Sequence, residues 1–410
     1  MRDLRYDIDP QGDTILVLRC PNRKQPVWDP ADQVSKLKQK NTIRRRKFFR
    51  SVFMSDTEDG RSGDDNAHEP TPEPIAPTID SSVPSDTDSA EVHGENSDRN
   101  EVQFRLCSRH LALASPVFKT MLNGSSDQSN GSAETREPLQ NGPDCQVRYE
   151  LTATEWDAKD FLLLMNIVHG RNGQVPLSID LETLERLSVI VDYYQSQEVA
   201  QAVVSLWIYQ LCGKLPTTYG RHCVTWMFVS WVFSRRNIFE KMTLLAITSC
   251  DGGLGTIDLP FPQMLISTAT PHLHDLSKLM CFAALLEQKR DHFIDEILNI
   301  LGNLCKDLWK GRRGCSFECR SMLLGSLMNS MDENELYEAC SAEQAMSAVL
   351  SLGSGSWYEH YSRYAHSCTL EELLQPDLAR LWDGLEGLKL DEYNGQKSKS
   401  AEVPSWTLQI

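Results

Sequence analysis

Cys315-x-x-x-Cys319 and, further along, His366-x-Cys368 place three sulfurs and an imidazole in two short pairs. Thiolate and imidazole are ligands of tetrahedral zinc, and a Cys₃His set would be structural because it leaves no open position for a substrate. The competing reading is packing: residues four apart share a helix face, and small thiols fill apolar cores. Other chemistry lacks its anchors. Asp251-Gly252-Gly253-Leu254-Gly255 is glycine-rich, but Thr256-Ile257-Asp258-Leu259-Pro260 opens no helix and no lysine is placed for phosphate. Neither a Gly-x-Ser-x-Gly elbow nor a His-Glu-x-x-His pair occurs. The expectation is a protein that is not an enzyme and has no cofactor beyond that candidate structural zinc.

The second constellation is basic. Lys36 to Arg50 holds eight cationic residues and no acidic one, and Arg44-Arg45-Arg46-Lys47 in an exposed disordered segment would suit a nuclear import receptor. Phe48, Phe49 and Phe53 could stack on bases, which makes nucleic-acid contact through residues 36–50 an alternative. Against it, Ser55 to Glu101 carries 14 acidic and 2 basic residues, which compete with phosphate for the same cations. The plain reading is a solvated linker of two opposed charge blocks. Ser55-Asp56-Thr57-Glu58 and Ser85-Asp86-Thr87-Asp88 would accept phosphate from an acid-directed kinase.

The elements that must position these groups divide the chain. Its 410 residues exceed one ordinary domain, and Ser55 to Glu101 is too poor in apolar side chains to offset the entropy of ordering. A net charge of −16 argues against wholesale binding to polyanions. No stretch reaches the ~20 apolar residues of a membrane span, so no membrane partner is expected. Met1 to Asp7 lacks the apolar core of a secretory signal, so the twelve cysteines are expected as reduced thiols in nucleus or cytoplasm.

Asp13 to Arg19 and Val102 to Ser108 read as strands, and Tyr149 to Ala153 as a third. Ser115-Pro116 starts a helix, the hydroxyl accepting from the first turn and the proline having no amide to leave unpaired. Helices are predicted over Phe161–His169, around Leu184, Leu187 and Val191, and over Val199–Leu211. Further helices are predicted over Arg221–Ser234, Phe239–Ser249, Leu276–Gln288, His292–Trp309, Cys319–Met331 and Ala342–Leu352. Cys223 to Phe233 reads as a central core helix, with an aromatic interaction face as the alternative.

The run Ser108-Arg109-His110-Leu111-Ala112-Leu113-Ala114-Ser115-Pro116-Val117-Phe118, between a strand pair and a third strand with helical hairpins beyond, resembles the BTB (POZ) domain. Asn166 to Pro176 and Val189-Ile190-Val191-Asp192-Tyr193-Tyr194 resemble fungal BTB-domain proteins of unassigned function. The resemblance implies an α+β fold, a small sheet capped by helices, whose work is binding other proteins: copies of itself as a homodimer, or a cullin when it serves as a ubiquitin-ligase adaptor. His110, Leu111, Ser115, Pro116 and Phe118 match the motif and are expected to determine the fold. The resulting map is residues 1–30 and 101–212 as the BTB module with a disordered loop at 123–143, and 31–100 as a disordered insertion. An all-α domain at 213–392 and a flexible tail at 393–410 complete it.

Overall fold

The computed structural model describes residues 4–22, 44–45, 47–52, 101–127, 147–250, 259–261, 263–265, 279–339, 341–352 and 368–394. Over these residues the chain is mixed α and β, mostly helical, with one small four-stranded sheet.

Strands β1 (Leu4–Asp7), β2 (Thr14–Arg19), β3 (Glu101–Leu106) and β4 (Tyr149–Thr154) lie in the order β1-β3-β2-β4. β2 is antiparallel to β3 and parallel to β4, and β1 is parallel to β3. The apolar-polar alternation of Val102 to Ser108 puts one face of β3 inside, against the apolar run of β2. Leu16 pairs with Phe104 and Leu151, Leu18 with Val102 and Ala153, and all six are buried. β1 is unexpected, being short and charged. Tyr6 stacks on Phe104 at 5.5 Å, and Arg171 donates to the carbonyls of Asp7 and Ile8 at 3.2 and 3.3 Å. Between β1 and β2 the backbone passes so close to β3 that a Cβ on Gly12 would lie 2.3 Å from the Leu106 carbonyl oxygen.

Helices α2 (Ser108–Ala114), α3 (Pro116–Asp127), α4 (Ala158–Val168), α5 (Leu181–Tyr193) and α6 (Gln197–Leu211) share one core with the sheet. Asp157 caps α4 by accepting from the Lys159 and Asp160 amides, and Asp180 caps α5 by accepting from Thr183. Gly170, at φ +66°, ends α4 in the left-handed region.

The expected boundary at 212/213 does not coincide with a break between cores. Helix α7 (Arg221–Val232) is buried from Cys223 to Val232 and packs between α5 and α8 (Arg236–Ser249), so it completes the first core. Nor is the C-terminal part all-α, because β5 (Gln263–Leu265) and β6 (Leu279–Cys281) pair antiparallel. The two helices expected over 276–309 are one, α9 (Phe282–Trp309). Its start (Phe282, Leu285, Leu286) lies in the first core, and Phe293 to Leu308 builds a second. Around it pack α10 (Phe317–Glu333), α11 (Ala342–Leu350) and α12 (Leu370–Asp383). After α12 the chain returns to the first core: Leu388 and Leu390 are buried there, and the Leu388 amide donates to Thr243 Oγ1 at 2.8 Å. A last turn, α13, covers Asp391–Asn394.

The largest departure lies in the insertion. Residues 44–45 and 47–52 are helical (α1) and dock on the second core, where the sequence reading expects disorder throughout 31–100. Residues 23–43 and 53–100 lie outside the described residues, as do 128–146 and 395–410. The loop expected at 123–143 is helical as far as Asp127.

Candidate functional site

The strand-helix corner of the N-terminal module is a locking device. Ser115, buried, accepts from the Phe118 amide at 3.0 Å and donates to the Tyr194 carbonyl, tying the start of α3 to the end of α5. Phe118 stacks on Tyr194 at 4.2 Å, and Leu111 is fully enclosed. Pro116 occupies the first position of α3 and is exposed. His110 is also exposed, its ring edge-on to His169 at 5.1 Å. Behind it His169 Nδ1 donates to the Met165 carbonyl at 2.9 Å while Nε2 accepts from the Cys107 amide at 3.0 Å. That pairing requires a neutral ring. Burial pushes the His169 pKa below its ordinary value, against the Met165 bond, and nearby His110 lowers it further. Asp13 accepts from the amide and hydroxyl of Ser108 at 2.8 and 2.7 Å, and these bonds hold its carboxyl below the usual range although burial opposes them. All five motif residues stand at this corner, four of them holding its backbone and packing.

Next to it, α4, α5 and α7 line a groove of about 780 Å³. Its buried carboxylates, Asp160 and Glu185, each face an arginine, but Glu185 Oε1 makes no hydrogen bond. Asp160 accepts from Arg186 at 2.5 Å, yet burial leaves its pKa raised. Glu185 accepts from Thr225 and lies 3.6 Å from Arg221. The network cross-links the three helices.

The basic run is placed where the sequence reading does not put it. Arg44, 9 % exposed, donates to Asp291 at 2.7 Å and to the Ala339 carbonyl at 3.1 Å, with Asp295 at 3.5 Å. Arg45 pairs with Asp332 at 2.6 Å and lies over the Tyr337 ring at 5.7 Å. Phe48, 6 % exposed, meets Tyr337 edge-on at 5.4 Å and packs over Gly302. Lys47 is exposed, and Arg46 lies outside the described residues. In this conformation the candidate nuclear signal is not an extended peptide. Asp291, Asp295, Asp332 and Tyr337 are missed partners. The available signal is the spacing of four between Arg44, Phe48 and Val52, a helical face inside a charge run.

The fold also gathers the candidate zinc ligands. Cys315 lies in the turn before α10, Cys319 in its first turn, and Cys368 just ahead of Thr369, the N-cap of α12. Their sulfurs all lie within 4.8 Å of one another. Ser316 caps α10 by accepting from the Cys319 amide at 3.1 Å, which holds the backbone at Cys319. Burial pushes the Cys368 thiol up to about 11, with contacts to Cys315 and Cys319 adding to the rise. His366 lies outside the described residues. Set against protein-family models, curated proteins and solved structures, the chain matches none.

Proposed function

We propose that this chain is a non-catalytic protein-protein association protein that assembles partners through a BTB-like N-terminal module. The observation that carries the reading is the order of elements around the Ser115 corner: two antiparallel strands, a helical pair joined at Ser115-Pro116, a third strand parallel to the first of them, then three helices. The motif residues keep that corner rigid, which leaves outward-facing groups for contacts. Leu113 on α2 is 89 % exposed and Tyr209 on α6 is 78 % exposed, with Leu206 one turn before it. Apolar side chains held out on rigid helices are what a partner surface buries. β1 is an edge strand and offers backbone groups to a further strand.

The test is the mass of the purified full chain in solution and the set of proteins retained by it, with Leu113→Asp and the pair Leu206→Asp, Tyr209→Asp beside it. A defined complex, dimeric or with one partner, that is lost in an otherwise folded variant supports the reading. A monomer with the same retained proteins in every variant removes it. Recovery of a cullin would narrow the function to a ligase adaptor. The nuclear regulator remains a second reading only where α1 undocks, because Phe48 and Arg44 are occupied as long as it is docked.

A further inference from the structure

We infer that Cys315, Cys319 and Cys368 form a binding site for one zinc-class divalent cation, whose bonds staple the N-terminal ends of α10 and α12 to each other.

The three sulfurs come from separate backbone environments: a turn, a helix and the lead-in to a second helix. Thiols that merely fill a core look different here. Cys223 and Cys305 are fully enclosed, each within one of the two cores. In the cluster only Cys319 is buried, Cys368 is half-buried and Cys315 is exposed, so one side stays open for a cation to enter. The spacing also fits. Zinc-sulfur bonds of about 2.3 Å at the tetrahedral angle put sulfurs ~3.8 Å apart, so a group already within 4.8 Å need close by no more than about 1 Å.

The cluster sits at the starts of two long helices, whose dipoles favour negative charge there. The loop into it carries Arg312 and Arg313 between Gly311 and Gly314, which hold φ values of +71° and +89°. A Cβ on Gly311 would strike the Arg320 guanidinium, so that cation folds back over the same loop. Three thiolates on one dication would leave a net negative charge beside this arginine-bearing loop, in which Arg312 already donates to Asp307 at 3.2 Å.

Sulfur donors select zinc, copper(I) or iron-sulfur clusters among common metals. Iron-sulfur clusters are most often held by four cysteines, and among the described residues the group holds three. Loading moves no electrons: each thiol releases its proton to solvent as a sulfur lone pair bonds the cation, and water or a nitrogen ligand completes the tetrahedron. The mechanical consequence follows from the packing. Both α10 and α12 lie against α9, and the metal would join their ends directly.

The experiment is metal analysis of the purified, reduced full chain, with cobalt(II) substitution as an optical probe. The expected result is about one zinc per chain and, with cobalt, intense sulfur-to-metal charge-transfer absorption. Cys315→Ser and Cys368→Ser alter an exposed and a half-buried position, so both variants should fold. Each should weaken zinc binding by more than about 100-fold, since even outer-shell changes around a metal cost 10- to 100-fold. Cys212→Ser, outside the cluster, should keep the metal. Absence of zinc and of the cobalt bands overturns the site. So does unchanged zinc in both cluster variants, or a disulfide between two of the three cysteines in the protein as isolated.

Discussion

Replacing Phe48 by Ala should release helix α1 from the second core while leaving the rest of that core folded. The ring is 6 % exposed, set against Tyr337 and over Gly302, whose Cβ, if present, would lie 3.4 Å from the ring edge. Withdrawing a Phe side chain from such a site costs about 2–3 kcal/mol in lost transfer free energy alone. A fixed core would add a cavity term, bringing the total to about 3–5 kcal/mol, but α1 can detach, so the core need not keep the void. The loss therefore appears as opening: about 2–3 kcal/mol, at about 1.4 kcal/mol per factor of ten, raises the undocked population roughly 30- to 150-fold.

Arg44, Arg45, Lys47 and Arg50 are trypsin sites inside the helix, and trypsin needs that helix unwound. With little protease, cleavage tracks the open population. Cleavage at residues 44–50, located by mass spectrometry of the fragments, should accelerate by that factor in Phe48→Ala, with a small change in the main thermal transition. Arg44→Ala should act similarly, since hydrogen bonds to charged groups are worth about 1.5–3 kcal/mol. Phe49→Ala, at a ring 37 % exposed, should act less. Equal cleavage of Phe48→Ala and the unaltered chain, within about twofold, would refute the docking argument, because no 2 kcal/mol contact can vanish without changing the open fraction.

Ser115→Ala removes a helix cap and leaves the Tyr194 carbonyl without its donor, so chemical denaturation should show a loss of about 2–4 kcal/mol. His169 sets a pH dependence: its folded pKa lies below 6.5, so between those two values the unfolded chain takes up a proton that the fold refuses. Stability should fall as pH drops through 6.5, level off below the folded value, and be fully present above 6.5. Thermal midpoints across that range should fall less steeply in His169→Gln, with His110, Asp9 and Arg171 the charged neighbours. A fragment ending at residue 212 should aggregate or bind hydrophobic dyes, because it lacks α7, whose side chains from Cys223 to Val232 fill the first core. A monodisperse, cooperatively unfolding fragment would show that α7 is dispensable.

Local signals are what the sequence states openly. The apolar, β-branched run of Thr14–Arg19, the alternation in Glu101–Leu106, the Ser115-Pro116 start and the apolar stripe of α9 each depend on neighbours a few residues away. The rest depends on distant partners. β1 is charged and becomes a strand because β3 offers an edge and Arg171 holds its end. Helix α12 goes unread: Pro376 lies inside it, and its apolar face, Leu370, Leu374 and Leu378, is interleaved with charge. Of the candidate zinc ligands, Cys315 and Cys319 are neighbours in sequence, but only the packing of α10 and α12 on α9 brings Cys368 to them.

The two cores are interleaved along the chain rather than strung in series. β2 and β3 are adjacent in the sheet, yet the segment between them sends α1 into the second core before returning. Helix α9 runs through both cores, and Leu388 and Leu390 bring the end of the described chain back to the first. Recognition of Arg44 to Lys47 as an extended peptide therefore competes with completion of the second core. Every receptor of that run must pull Phe48 out and break the Arg44 bonds to Asp291 and Ala339. A net docking free energy of about 2 kcal/mol would leave about 3 % of the chains open and weaken such a receptor's apparent affinity roughly 30-fold. Any influence that loosens the second core raises that open fraction, so access to the basic run reports the state of a core it does not belong to in sequence.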